Sequence, residues 1–166
     1  MRVTIKNKFA SLRGSSVVED ENGDVLYRVK GRWAIFCPTR NKRIYDNKGN
    51  KVFVVRNKFW KFWTQKAYIK DCATGDRLAT VKYGIWTTNG RYVVEGHKDE
   101  IEIVGKRWGL EREVLRNGES MAKVTSKFMS IVDNYTIDAD DADIPFLVAL
   151  LVAVDNIKDK ENREKI

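Results

Sequence analysis

The sequence predicts a mainly β protein, a closed antiparallel barrel of about twelve short strands around one buried hydrophobic helix near the C-terminus. Short segments rich in Val, Ile, Tyr, Trp and Thr recur along most of the chain, as is typical of half-buried strands. Glycine-containing turns separate these segments at regular intervals. A single uninterrupted apolar stretch, 144–154, departs from the pattern and predicts the helix.

The turns share a pattern that predicts hairpins. Gly23, Gly49 and Gly75 are spaced 26 residues apart, and each precedes an alternating segment. A fourth unit contains Asn117-Gly118. Asn-Gly favours a hairpin because both turn positions need positive φ, which Gly and Asn tolerate best. So many strands in 166 residues favour closure, since a closed barrel has no exposed edges.

The apolar stretch predicts a helix over about 143–157. Asp143 suits the N-cap, and Pro145 is tolerated in the first turn. The eleven residues from Ile144 to Val154 are apolar on every face, which places them inside the barrel. As a helix they extend only about 16 Å, roughly half a bilayer core, so we expect no transmembrane span.

Residues 1–157 are therefore expected to form one domain, and 158–166 a charged tail that is either a solvated helix end or frayed. The N-terminus alternates polar and apolar residues, which predicts a strand and not a signal peptide. The two cysteines, Cys37 and Cys72, form no CxxC pair. We expect two reduced, part-buried thiols in a cytoplasmic protein, with a disulfide between them as the alternative.

The formal charge of +8 is distributed unevenly. Between Arg28 and Lys66 twelve basic residues accompany one acid, Asp46, so this stretch carries +11 and the rest of the chain −3. The asymmetry predicts an electropositive region, provided that the strands place these side chains on one surface.

Within that stretch, 57–66 interleaves four aromatic residues with three lysines. Such a run suits the headgroup region of a membrane, or stacked bases beside phosphates. The alternative is a hairpin with Phe59 and Phe62, or Trp60 and Trp63, partly in the barrel wall. The candidate residues for binding an anionic lipid or phosphate are Arg40, Lys42, Arg43, Arg56, Lys58, Trp60, Lys61, Trp63 and Lys66.

Catalytic and cofactor signatures are missing from the sequence. His97 is the only histidine and is expected to be exposed at a hairpin tip, with no nucleophile motif in the chain. No phosphate-binding glycine loop occurs, and one histidine with two cysteines cannot complete a standard zinc site. Asp138, Asp140 and Asp141 offer oxygen ligands for calcium, although acids before a helix are also explained by capping and the helix dipole. We expect no enzyme activity, no cofactor and no resident metal.

Two segments carry a resemblance to a known family. The opening 5–9 and 17–31, and the ending 143–157, resemble the LURP-one-related family. This family is similar in fold to the tubby C-terminal domain and to the phospholipid scramblases, which implies a twelve-stranded barrel around a central hydrophobic helix. Tubby domains bind phosphoinositides through basic surface residues, but no tubby motif here permits a residue-level transfer.

The resemblance to the scramblases extends to acidic residues before the apolar helix. Here these are Asp133, Asp138, Asp140, Asp141 and Asp143. Scramblase activity is not carried over, since the spacing differs and the apolar segment is short.

The leading hypothesis is a non-enzymatic module, cytoplasmic and peripheral to the membrane, that binds anionic phospholipid or phosphoinositide through a basic, aromatic-bearing face. The alternatives are nucleic-acid binding through the same face, and a structural or protein-interaction domain whose charge serves solubility. Dispersal of the basic residues around the barrel would weaken both binding hypotheses. The sequence makes no prediction of oligomeric state.

Overall fold

Twelve antiparallel strands follow one another around a closed barrel in a computed structural model of the protein. The structure describes residues 1–7, 15–34, 37–57, 64–84, 92–105, 111–129 and 132–164. The strands are β1 (Arg2–Asn7), β2 (Ser16–Asp20), β3 (Val25–Ala34), β4 (Cys37–Asp46), β5 (Lys51–Asn57), β6 (Thr64–Asp71), β7 (Arg77–Gly84), β8 (Tyr92–Glu95), β9 (Ile101–Gly105), β10 (Glu111–Arg116), β11 (Glu119–Met129) and β12 (Val132–Ala139). A 3-10 turn, Asp141–Asp143, leads into the helix α1, Ile144–Glu164.

Closure is completed by β1, which pairs with β2 on one side and with β12 on the other. Ile5, for example, lies opposite Val18 of β2 and Tyr135 of β12. Each strand pairs with its neighbours in chain order, and the first and last strands, β1 and β12, pair with each other to close the barrel. The predicted barrel of about twelve strands is confirmed.

The core lies between the inner face of the barrel and α1. Inward-facing Val3, Val29, Ile44 and Ile69 are at most 1% exposed. Their neighbours along each strand point outward, as the two-residue period of a strand requires. The sheet therefore has an apolar inner face and a polar outer face, and the chemistry available to a partner lies on the outer face.

The helix fills the barrel, as predicted, and packs mainly against β5 and β6. Leu147 through Val154 are almost completely buried, with exposures of 4% or less. The helix is longer than the expected 143–157 and continues to Glu164. The carboxylate of Asp143, the expected N-cap, accepts a hydrogen bond from the guanidinium of Arg116. Among the residues that the structure describes, no helix combines the length and apolarity that a bilayer crossing requires.

The repeated turns are also stabilised by aspartate side chains, a feature that the glycine pattern did not predict. At the β4–β5 turn, Asp46 Oδ1 accepts hydrogen bonds from the amides of Lys48 and Asn50, at 2.9 and 2.8 Å. Asp20 does the same at the β2–β3 turn, and Asp71 accepts one such bond at the β6–β7 turn. These are Asx turns, in which a carboxylate replaces a backbone acceptor.

The expectation that both residues of an Asn-Gly pair adopt positive φ holds at only one of these turns. Asn117 has φ 52° and Gly118 φ 83°, which fits a two-residue hairpin turn. At the first turn only Gly23 is left-handed, because the longer Asx turn needs one left-handed residue and not two. Cys72, in the third turn, is a free thiol, so the alternative disulfide with Cys37 is not formed.

Candidate anion-binding face

Strand alternation places the basic residues of β4 on opposite sides of the barrel wall. Lys42 and Ile44 point inward and are buried. Asn41 and Arg43 point outward and remain partly accessible. Two adjacent cations, Lys42 and Arg43, therefore have different environments, and only Arg43 is available to a partner outside the barrel.

A row of side chains rich in cations crosses five neighbouring strands on the outer wall. In register order it consists of Lys30, Arg43, Val54, Lys70 and Arg77. Lys30 lies directly opposite Arg43, and Lys70 directly opposite Arg77. Like charges directly opposed on neighbouring strands are destabilising. The outer wall therefore concentrates positive charge at a cost to the fold.

The two ends of this row are held against the wall by tyrosine rings. Lys30 Nζ lies 5.3 Å from the ring centroid of Tyr45, and Arg77 Cζ lies 4.1 Å from that of Tyr68. Cation–π contacts at exposed sites contribute about 0.5–1 kcal/mol each. The flanking cations thus already have intramolecular partners.

The middle of the wall has no such compensation. Arg43, Arg56 and Lys70 lie on β4, β5 and β6, and we call these three residues the central strip. Arg56 and Lys70 are exposed and Arg43 is half-buried. Within the described part of the chain, no carboxylate lies within ion-pairing distance of any of the three. They surround Val54, which faces outward but is only 7% exposed.

The wider set of outward cations extends from β3 to β7. We call it the basic face, and its residues are Arg28, Lys30, Arg43, Arg56, Lys66, Lys70, Arg77 and Lys82. Lys66 lies opposite Lys82, a third like-charged pair. The face ends at β8, where Glu95 forms an ion pair with Lys82. These eight outward-facing cations are thus gathered on one side of the barrel.

A family model for LURP-one-related proteins matches residues 1–155. The chain belongs to the LURP-one-related family. The sequence resemblance is confirmed over nearly the whole domain. No curated protein and no solved structure matches the chain significantly.

In this LURP-one-related domain the side chain of Lys42 points into the barrel. The prediction that Lys42 is a surface residue for ligand binding is therefore wrong. It is 3% exposed, and its Nζ lies 2.8 Å from Oδ2 of Asp155 on α1. Nearby, Asn57 Nδ2 donates to the carbonyl of Asn156 at 3.1 Å. Both contacts tie the end of the buried helical segment to the barrel wall, so Lys42 is not part of the basic face.

Of the other predicted site residues, Arg43 and Arg56 lie in the central strip, and Lys66 lies beside it on β6. Arg40 lies in β4, but its side chain is outside the described residues. Lys58, Trp60, Lys61 and Trp63 also fall outside the described residues. The contribution of the aromatic–lysine run therefore stays a prediction.

The sequence-based selection missed Lys30, Lys70 and Arg77. Lys70 and Arg77 come after the strongly basic stretch 28–66 in the sequence. The distribution of charge along the chain therefore did not group them with Arg43. The strand register brings them together, because Val54 lies opposite Arg43 on one side and Lys70 on the other. The alternation of Lys66, Tyr68 and Lys70 was the available signal that Lys70 faces outward.

Three of the acidic residues before α1, Asp138, Asp141 and Asp143, are engaged in ion pairs. Asp138 binds Arg2 at 2.9 Å, and Asp141 lies 3.4 Å from the N-terminal amine. Hydrogen bonding to Asp138 raises the pKa of Arg2 above its ordinary value. In the described part of the chain, no group of three histidine, cysteine or carboxylate side chains is arranged to hold a metal ion. The calcium interpretation of Asp138, Asp140 and Asp141 gains no support from this geometry.

His97 lies in the β8–β9 turn, but its side chain is only 12% exposed, which corrects the expectation of an exposed histidine. Its ring stacks on Phe146 of α1, with centroids 4.7 Å apart. Asp99 beside it faces Arg116 at 3.7 Å, and Arg116 also binds Asp143. This hydrogen bond from Arg116 to Asp143 raises the pKa of Arg116. The cluster anchors the start of α1 and gives His97 a packing role.

Proposed function

We propose that this LURP-one-related domain is a non-enzymatic module whose basic face binds the anionic surface of a phospholipid membrane, phosphoinositides included. The observation that carries the proposal is the central strip of Arg43, Arg56 and Lys70, which has no carboxylate partner among the described residues. Cations gathered at a cost to the sheet favour an external anion that relieves their repulsion.

The expected strength of this interaction is modest. Each Lys or Arg close to an anionic bilayer contributes about 1 kcal/mol, so the central strip supplies roughly 3 kcal/mol. These charges are screened over a Debye length of about 8 Å at physiological salt. Binding should therefore be reversible and strongly weakened by salt. Anionic lipids are enriched in the cytoplasmic leaflet, which favours a cytoplasmic, peripheral location.

The same geometry favours lipid over single-stranded nucleic acid. Proteins that bind single strands without sequence preference offer open aromatic faces on which bases stack. The two tyrosines that flank the row are Tyr45 and Tyr68, and a cation already covers a face of each ring. The wall therefore offers positive charge. In its described part, however, the tyrosine rings on which bases could stack are already covered by cations.

Co-sedimentation with vesicles tests the proposal. Phosphatidylcholine vesicles and vesicles that also contain phosphatidylserine are compared at low and at physiological salt. We expect binding to the anionic vesicles alone, stronger at low salt and unaffected by single-stranded DNA whose phosphate concentration equals that of the anionic lipid. Absence of binding to anionic vesicles at low salt contradicts the proposal. Preferential displacement by the DNA supports the nucleic-acid alternative in its place.

The variant K58A/W60A/K61A/W63A tests whether the aromatic–lysine run contributes. Loss of binding in this variant while Arg43, Arg56 and Lys70 are intact assigns a role to the run. Unchanged binding supports its alternative interpretation as part of a hairpin in the barrel wall.

A further inference from the structure

The helix α1 lies off-centre inside the barrel. It packs mainly against β5 and β6 and has fewer contacts with β4 and β12. Ala67 on β6 and Ala79 on β7 are small and completely buried, which lets the helix approach this side of the wall closely. Ile5 on β1 and Tyr135 on β12 lie opposite each other on the other side, where the first and last strands pair. The strands that close the barrel are therefore farther from the helix.

A small cavity lies between α1 and this side of the wall. Four of its lining residues carry polar side chains: Ser16 of β2, Lys42 of β4, Tyr135 of β12 and Asp155 of α1. The rest of its lining is aliphatic. Ser16, Lys42 and Tyr135 are at most 6% exposed, so the cavity is almost closed to solvent. It leaves about 10 Å³ in which the centre of a water molecule can move, which is room for one water but not for an organic ligand.

The buried ammonium of Lys42 has more hydrogen-bond donors than the described side chains around it accept. A lysine ammonium has three N–H donors and no acceptor. Among the described residues, its acceptor is Oδ2 of Asp155, at 2.8 Å. The other two donors, on a residue that is 3% exposed, are therefore left for a further partner. Since Lys42 lines the cavity, the cavity is where such a partner can lie.

We propose that this cavity is a binding site for one internal water molecule, which accepts a hydrogen bond from Nζ of Lys42. The water can donate its two hydrogens to the carboxylate of Asp155 and to the hydroxyl oxygen of Ser16 or Tyr135, since all three residues line the site. Internal waters make about three hydrogen bonds on average, and this lining can supply that number. The site lies inside the barrel, so it goes beyond the proposed membrane binding and does not depend on it.

The water supports the ion pair at the end of the buried helical segment. An ion pair inside a protein repays the cost of its desolvation only when additional hydrogen bonds satisfy its remaining donors and lone pairs. A bridging water does this nearly as well as a direct hydrogen bond. Cavities lined by apolar side chains alone stay dry, even when they are larger. The polar groups of this lining, above all the pair of Lys42 and Asp155, therefore determine that the cavity is hydrated.

A high-resolution crystal structure of the wild type tests the site directly. We expect a water oxygen within about 3.2 Å of Nζ of Lys42 and in hydrogen-bond contact with a second lining residue. An empty cavity overturns the proposal. A cavity closed by direct hydrogen bonds from Lys42 to Ser16 and Tyr135 also overturns it, because the ammonium is then satisfied without a water.

Magnetic relaxation dispersion of the water signal counts long-lived internal waters in solution and allows variants to be compared. K42M/D155L removes the ion pair, and we expect it to hold about one internal water fewer than the wild type. Lys123→Met is the control, since this lysine is exposed on β11, and it should leave the number unchanged. Equal numbers in the wild type and K42M/D155L overturn the proposal. Urea unfolding establishes that the variants are folded, and if K42M/D155L does not fold, the crystal structure of the wild type decides alone.

Discussion

Two consecutive residues, Lys42 and Arg43, illustrate how side-chain direction determines the role of a charge. Both are basic and both belong to the strongly positive stretch of the sequence. Lys42 points inward and pairs with Asp155 at 2.8 Å, whereas Arg43 points outward without a described carboxylate partner. The first charge positions the helix, and the second is available for binding.

The interior pair yields a stability prediction. Lys42→Met leaves the carboxylate of Asp155, whose side chain is only 18% exposed, without its cation. Unpairing a buried ion in this way should lower the free energy of unfolding by about 3 kcal/mol. The double variant K42M/D155L should recover most of that loss, because a matched apolar pair leaves no buried charge. Urea unfolding of both variants measures this, and a Lys42→Met change below about 0.5 kcal/mol would contradict it.

A second prediction concerns the Asx turn at Asp46. Hydrogen bonds from Asn50 and from backbone amides lower the pKa of this carboxylate. A lowered folded-state pKa stabilises the protein above the ordinary carboxylate pKa, and that contribution is lost as the pH falls through the folded value. Asp46→Ala should therefore be less stable than the wild type at neutral pH, and this difference should vanish in acid.

Denaturant unfolding at both pH values measures the difference. Asp24→Ala is the matched control at neutral pH, since the Asp24 carboxylate accepts no hydrogen bond among the described residues. A difference between Asp46→Ala and the wild type that persists unchanged in acid contradicts the proposed turn contribution.

At the level of elements, α1 is positioned by polar contacts at both ends of its buried segment. Arg116 binds Asp143 just before the helix begins, and Lys42 binds Asp155 twelve residues later. Between them the helix is apolar on all sides. Since hydrophobic burial has no direction, the two ion pairs, together with the hydrogen bond from Asn57 to the carbonyl of Asn156, help to specify the axial position of the helix.

The buried segment itself supplies most of the stabilisation. Leu150 is 0% exposed, so Leu150→Ala should destabilise the domain by about 3–5 kcal/mol through lost burial and the cavity left behind. Val93→Ala, at a valine that is 44% exposed, should change stability by less than about 0.5 kcal/mol. Thermal or urea unfolding compares the two. Similar effects at both positions would contradict a helix enclosed by the barrel.

The fold was predictable from the sequence because its signals are local. Each element is predicted by residues within it or next to it: the turns by their glycines, the strands by their alternating segments and the helix by the apolar run 144–154. The basic face was predictable only in part, because Lys70 joins Arg43 through strand register, a long-range property. Lys42 was wrongly predicted to be a surface residue for the same reason. Alternate residues of β4 face opposite sides of the wall, and which set faces inward depends on how the strand is placed in the barrel. The largely buried environment of His97 depends on Phe146, about fifty residues away.

At the scale of the whole molecule, the barrel is electrically asymmetric. The outer wall of β3–β7 carries the basic face, and the outer wall of β9 and β10 carries Glu102, Glu111 and Glu113. No cation among the described residues forms an ion pair with these three glutamates. The asymmetry orients the protein in an electric field even before contact, which should speed association with an anionic surface and make it sensitive to salt.

The most direct test of the proposed membrane face is lysine footprinting of the unmodified sequence. The acetylation rates of Lys70 and of Lys123 are measured by mass spectrometry with and without phosphatidylserine vesicles. Both lysines are exposed, but Lys70 lies in the central strip, and Lys123 lies on β11, on the opposite side of the barrel. Binding through the basic face predicts that vesicles slow the acetylation of Lys70 and leave that of Lys123 unchanged. Equal slowing of both lysines, or no slowing of Lys70 in vesicle-bound protein, would contradict it.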